Sequence, residues 1–297
     1  MSEPTVAGTG SSGFDETVPM AETAATAPVG PNLAETRISD RQPAARPAIP
    51  EVTIERELGR GGMGVVFAGR QTYLDRAVAI KVLKPEVGGE EYVARFRREA
   101  TLLAGLHHPH IVACYQAGAT PAGECYLVME FIDGPNLWQQ VKAGGPLTPA
   151  AVLRVIADIA SALGYAQAKG IIHRDVKAEN ILLAPGGGDA DFPFTAKLVD
   201  LGLAKPVQAV GDAALTRQGM LLGTPSTMAP EQFDDPERVD HRADMYGLGC
   251  AAFQALTGAP AFRGSSLMEL VSAKASGIIP DPTALRADCP APVAALV

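Results

Sequence analysis

Between Ile171 and Leu183 the chain reads IIHRDVKAENILL, a charged turn between apolar flanks. Its residue types can act together. A carboxylate at Asp175 accepts a proton or orients a hydroxyl. An ammonium two residues on, at Lys177, neutralises an anionic group in transfer. The amide oxygen of Asn180 ligates a hard cation. His173 and Arg174 fix the loop or bind a nearby anion. The flanks, Ile171–Ile172 and Ile181–Leu182–Leu183, read as short buried strands holding the turn.

Three further stretches carry chemistry. In AKLVDLGLAK, residues 196–205, an apolar strand delivers the carboxylate of Asp200, a second hard oxygen donor. In AVAIKVL, residues 77–83, Lys81 stands in the middle of an alternating strand, and a lysine among apolar neighbours needs an anionic partner. In VTIERELGRGGMGVVFAGR, Gly59, Gly61 and Gly64 form G-x-G-x-x-G. A dinucleotide-binding fold shares that pattern, but there a helix follows the glycines. Here Val65-Val66-Phe67 follows, so a strand leaves the turn. A glycine hairpin lets backbone N–H groups approach a phosphate chain.

The elements that position these groups follow from periodicity. Residues 90–106 read as a helix with Val93, Phe96, Ala100 and Leu103 on one face and Glu99 beside it. In LHHPHIV, Pro109 breaks the helix, and its histidines read as a structural turn rather than a zinc site. Residues 111–118 and 125–131 read as strands, the second running into the turn Asp133-Gly134-Pro135. From Thr148, a cap followed by Pro149, a helix carries Val152, Val155, Ile156, Ile159 and Leu163 as a stripe up to Gly170. DHRADMYGLGCAAFQALTG, residues 240–258, reads as a buried helix.

Composition bounds the remaining choices. A length of 297 residues with 47% apolar content suits one large core or two lobes. Residues 1–50 hold seven prolines, nine alanines and a single aromatic, Phe14, so this tail is expected to be disordered. The formal net charge of −8 gives a nucleic-acid role no basic surface. No uninterrupted apolar run reaches the ~18 residues that span a bilayer, and the N-terminus lacks a signal peptide's basic and apolar regions. Cys114, Cys125, Cys250 and Cys289 show no C-x-x-C spacing, which fits reduced thiols and a cytoplasmic chain.

Together HRDVKAEN, AVAIK, the glycine hairpin, Asp200-Leu201-Gly202 and Ala229-Pro230-Glu231 resemble, in order, the motifs of bacterial Ser/Thr protein kinases of eukaryotic type. The resemblance covers residues ~52–297 and implies an α+β, two-lobed protein kinase-like fold: a β-rich N-lobe over 51–131 with one main helix, and a mainly helical C-lobe over 132–297. It implies ATP and Mg²⁺, protein substrates with Ser or Thr acceptors, and a transient kinase dimer.

The implied site has Asp175 and Lys177 as its catalytic pair, with Asn180 and Asp200 holding Mg²⁺. Gly59, Gly61, Gly64, Val66, Ala79, Lys81, Glu99, Met129, Glu130, Ile132 and Leu182 surround ATP. Within that set Glu99 pairs with Lys81, Met129 is the gatekeeper, and the hinge from Glu130 to Ile132 holds adenine through its backbone. Asp244 is implied to bond the backbone of the catalytic loop. Thr216 is the only Ser or Thr in 203–222 and is expected to be self-phosphorylated. The alternative within the same fold is a scaffold that binds nucleotide and partners with little catalysis. Its usual sign is loss of the lysine or of one of the two key aspartates, and here all three are present.

Four departures from the family pattern stand out: Ala178 for Pro, Thr227 for Tyr, Gly247 for a small polar residue, and an end at Val297 before the family's last helices. The last leads to the expectation that Glu231 is buried without its arginine unless Arg242 substitutes. It also leads to the expectation that one face of the 241–256 helix meets water, and that the chain is a truncated kinase, marginally stable, prone to associate, and weakly active or inactive.

Overall fold

The structure is a computed structural model that describes residues 47–61, 64–83, 89–188, 190–201, 225–235 and 238–297, without the side chains of 89–92 and 95. Residues 1–46 of the tail expected to be disordered, Gly202, Thr216 and Thr224 lie outside those residues. Arg46–Val297 form one compact unit. The folded unit starts ahead of the sequence-derived boundary at Glu51, because Ile49 is buried with Ile54, Phe67, Val78 and Ile80.

The N-lobe is a five-stranded antiparallel sheet in the order β1-β2-β3-β5-β4. Its strands are β1 (Val52–Arg60), β2 (Gly64–Gln71), β3 (Arg76–Leu83), β4 (Cys114–Ala119) and β5 (Cys125–Glu130). Alternation in β3 divides the lobe. Val78, Ile80 and Val82 join one apolar cluster, while Leu83 joins Phe96, Ala100, Leu127 and Met129 in another. The second cluster buries helix α1 (Gly89–Ala104) through Phe96 and Ala100, as its periodicity requires. Residues 111–112, expected in a strand with 113–118, turn away from β5 instead. Val112 N–H donates to Leu198 O at 2.9 Å, and Leu198 N–H donates to His110 O at 2.8 Å.

The C-lobe holds α2 (Leu137–Gly144), α3 (Pro149–Ala168), the hairpin of β6 (Ile181–Pro185) and β7 (Phe194–Leu198), α4 (Glu231–Asp234), α5 (Arg242–Thr257), α6 (Leu267–Ala275) and α7 (Ala291–Leu296). Thr148 caps α3, its hydroxyl accepting Ala151 N–H at 3.2 Å. By length and composition α3 is apolar enough to cross a membrane. Here Val152, Val155, Ile159 and Leu163 pack instead into the core that Leu248, Ala251, Ala255 and Leu256 of α5 complete.

Two expectations about the end of the chain are corrected. Cys289 and Val293 enter the same core as α5, so residues 289–293 cover that helix. Glu231 is exposed rather than buried, and Arg242 pairs with Asp240 at 3.0 Å instead. Ile171 and Ile172 are half-buried and form no strand. Ile171 N–H closes onto Ala166 O of α3 at 3.0 Å, and the segment that follows is held by a side chain rather than by a strand partner.

Candidate active site

The loop between α3 and β6 is pinned from below by α5. The Asp244 carboxylate accepts His173 N–H at 2.8 Å and Arg174 N–H at 2.7 Å. Burial pushes the Asp244 carboxyl up from its ordinary value, and those two donors oppose the shift. Gly247, one turn along α5, allows the close approach, since a Cβ there would lie 2.7 Å from Val176 O. Arg174 takes φ +63°, a left-handed conformation that costs of order 1–3 kcal/mol and persists only where its surroundings enforce it. His173 stands inside the turn. Its Nδ1 accepts Asp175 N–H at 3.2 Å and its Nε2 lies 2.9 Å from Val199 O, which sets the tautomer with the proton on Nε2.

Three of the expected residues meet in this loop. Lys177 Nζ lies 3.1 Å from Asp175 Oδ2. Asn180 Nδ2 donates to Asp175 O at 2.8 Å and to Asp175 Oδ2 at 3.3 Å. The amide nitrogen is thus committed to Asp175 and the amide oxygen is turned the other way. Asn180 O in turn accepts Val199 N–H at 3.0 Å, which ties the loop to the strand end that delivers Asp200.

Asp200 bridges the lobes. Its Oδ1 lies 2.8 Å from Lys81 Nζ, and the lysine side chain is 5% exposed. Asp200 is thus an anionic partner of Lys81. Glu99 sits half-buried on α1, between the buried Phe96 and Ala100. Asp200 takes φ +65°, the second left-handed residue of the site.

Sheet register places the rest. In β2–β3 pairing Val66 lies opposite Lys81 and Ala68 opposite Ala79, and in β3–β5 pairing Ala79 lies opposite Met129. Val66, Ala79, Lys81 and Met129 therefore share one face of the sheet. Ile132 and Leu182 pack against the cluster that contains Met129, so both lobes contribute walls. The glycines divide into two kinds. A Cβ on Gly64 would lie 2.1 Å from Val82 O, so β3 itself requires that glycine. At Gly59 and Gly61 a Cβ would meet nothing within 4 Å, which leaves room for a ligand against the backbone. Gly61 N–H donates to Gly64 O at 2.9 Å and closes the turn.

Asn180 and Asp200 offer the oxygen donors that a hard divalent cation takes, and the set fits one. No cluster of three or more His, Cys, Asp or Glu gathers among the described residues. A cation here would draw its remaining ligands from phosphate and water, as Mg²⁺ does.

Sequence reasoning undervalues two positions. It gives Glu130 a role through its backbone alone. The side chain instead takes Lys197 Nζ at 2.6 Å and Ala113 N–H at 3.3 Å, linking the hinge to β7. Gln232, next to the Ala-Pro-Glu motif, donates from Nε2 to Arg174 O at 3.0 Å. Lys197 alternating with apolar residues just ahead of Asp200 is the sequence signal for the first. The second has none.

Comparison with known proteins points the same way. The family profile for the protein kinase domain matches residues 52–286. The chain is 37% identical over 237 residues to serine/threonine-protein kinase pkn3 of Myxococcus xanthus, an alignment covering 79% of this chain and 43% of that protein. It is 40% identical over 238 residues to serine/threonine-protein kinase PknH of Mycobacterium bovis, covering 80% of this chain and 38% of that protein. It thus spans less than half the length of these curated relatives. The crystal structure of the Mycobacterium tuberculosis PknI kinase domain superposes with a TM-score of 0.62 at 29% identity, covering 81% of this chain and 84% of that one.

Proposed function

The chain belongs to the protein kinase domain family, and on that premise we propose that it transfers the γ-phosphoryl group of ATP to Ser and Thr hydroxyls of proteins. The observation that carries this reading is the Lys81–Asp200 ion pair at 2.8 Å, which joins the nucleotide-facing sheet to the strand end hydrogen-bonded to the Asp175 loop.

Phosphoryl transfer asks for positioning and charge neutralisation more than for covalent chemistry. The glycine hairpin covers the phosphates with backbone N–H groups, and Lys81 orients them. Met129, Ile132, Leu182, Val66 and Ala79 wall the adenine. Mg²⁺, when bound, would supply positive charge against the phosphate oxygens, and Asn180 and Asp200 are the residues that would hold it. Asp175 orients the acceptor hydroxyl and takes its proton as the oxygen bonds to phosphorus. The bond from phosphorus to the β-phosphate oxygen breaks and ADP leaves. Lys177, already 3.1 Å from Asp175, offsets charge on the group in transfer.

Thr216 is the proposed self-phosphorylation site, reached in trans within a transient dimer, with Arg174 beside Asp175 as a cation for the new phosphate. Incubation with Mg-ATP followed by phosphopeptide mapping tests both parts. Phosphate on Ser or Thr, with Thr216 leading, supports them. Nucleotide binding without any phosphate transfer favours the scaffold alternative.

A further inference from the structure

Helix α6 carries a lysine on its apolar side. Lys274 is 5% exposed, and its ammonium has three donors with three acceptors in reach: Met228 O at 2.6 Å, Ser226 O at 3.0 Å and the Tyr246 hydroxyl at 3.4 Å. The rings of Tyr246 and Phe262 stack at an interplanar angle of 12°, and the ammonium lies 4.8 Å from one centroid and 4.9 Å from the other. Among the described residues no carboxylate pairs with it. Two carbonyls, a hydroxyl and two π faces replace a counterion. Burying an ammonium on those terms is costly, and an apolar residue would fill the same space at less cost.

What the ammonium holds explains the retention. Ser226 and Met228 belong to the segment directly before the Ala-Pro-Glu motif. Ala229 N–H donates to Gln232 Oε1 at 2.9 Å, and the same side chain donates from Nε2 to Arg174 O at 3.0 Å. Arg174 is the neighbour of Asp175. A continuous series of bonds therefore runs from α6 through segment 225–232 to the residue that orients the acceptor hydroxyl.

We propose that Lys274 is a positioning residue for the protein acceptor, fixing segment 225–230 as the platform on which the acceptor chain lies beside Asp175. This rests on the kinase reading above. It places part of the control of acceptor binding about a hundred residues beyond the catalytic loop, on a helix that touches neither nucleotide nor phosphate.

The test uses the chain with Mg-ATP and myelin basic protein as a generic acceptor. Lys274→Met is expected to raise the acceptor KM at least tenfold while the ATP KM stays within twofold. Hydrogen exchange of the amides of 226–229 is expected to speed up at least tenfold, with exchange in α3 unchanged. Lys274→Gln keeps two N–H donors in the same space. It serves if the Met variant fails to fold, with an expected acceptor KM rise of threefold or more. An acceptor KM within twofold of wild type in a folded variant overturns the proposal, as does unchanged exchange at 226–229. Loss of all transfer in the wild-type chain overturns the kinase reading instead, and the exchange measurement then still decides the role of Lys274.

Discussion

Asp244 and His173 stand 71 residues apart in sequence, and the carboxylate of the first accepts the backbone N–H of the second at 2.8 Å. The other oxygen accepts Arg174 N–H at 2.7 Å, so one buried side chain holds two successive peptide groups of the catalytic loop. Asn at this position has one acceptor oxygen where two are needed. Asp244→Asn should therefore cost about 1–3 kcal/mol of stability and loosen the loop. The expected kinetic signature is a kcat at least tenfold lower with an ATP KM within about twofold. Urea unfolding and steady-state kinetics on the same preparation check it. Unchanged kcat would show that the loop holds its shape without Asp244.

The glycine turn separates packing from ligand binding. Gly64→Ala drives a Cβ to 2.1 Å from Val82 O and should destabilise the β2–β3 pair by about 1–3 kcal/mol. Gly61→Ala meets nothing within 4 Å and should leave stability within about 1 kcal/mol while raising the ATP KM. Thermal unfolding and nucleotide titration of the two variants distinguish the effects. Equal behaviour would contradict the division.

Much of this site is legible in the amino-acid sequence. The spacing of Asp175, Lys177 and Asn180, and the strand that carries Lys81, depend on local pattern, and local pattern survives folding. The stripe on α3 and the cap at Thr148 are legible for the same reason. What escapes are pairings between segments far apart in sequence. The Glu130–Lys197 bridge joins residues 67 apart, and Lys274 reaches 46 residues back to Met228. Residues 111–112 read as strand and bond to β7 rather than β5, because alternation marks a strand without naming its partner. Ile171–Ile172 fails for the opposite reason: an apolar pair is present but, among the described residues, no strand pairs with it.

Lys274 also gives a pH test. Burial brings its ammonium down to about 8 from an ordinary 10.5. Between those values the unfolded chain holds a proton that the fold has released, so this group makes folding more favourable as pH rises. Cys250, which faces it from α5, runs the other way. Burial pushes that thiol up to about 11, so its contribution falls as pH climbs from 9 to 11. Tyr246 is pushed up as well, and Glu231 lies near enough to add to that shift. The clean quantity is the difference between wild type and Lys274→Met in denaturant midpoint, followed from pH 7.5 to 9. The wild type should gain on the variant across that range, and parallel curves would contradict the assignment.

In the reaction proposed for this chain, Asp175 directs a hydroxyl toward the γ-phosphate of ATP. The most direct test is transfer of labelled γ-phosphate to protein by wild type and by Asp175→Asn, with nucleotide affinity measured on both. The proposed reaction predicts that the variant loses transfer by at least about 10³-fold and binds Mg-ATP within about threefold of wild type, since that reaction puts Asp175 at the acceptor and leaves Lys81, Asn180 and Asp200 in place. Undiminished transfer by Asp175→Asn would contradict it.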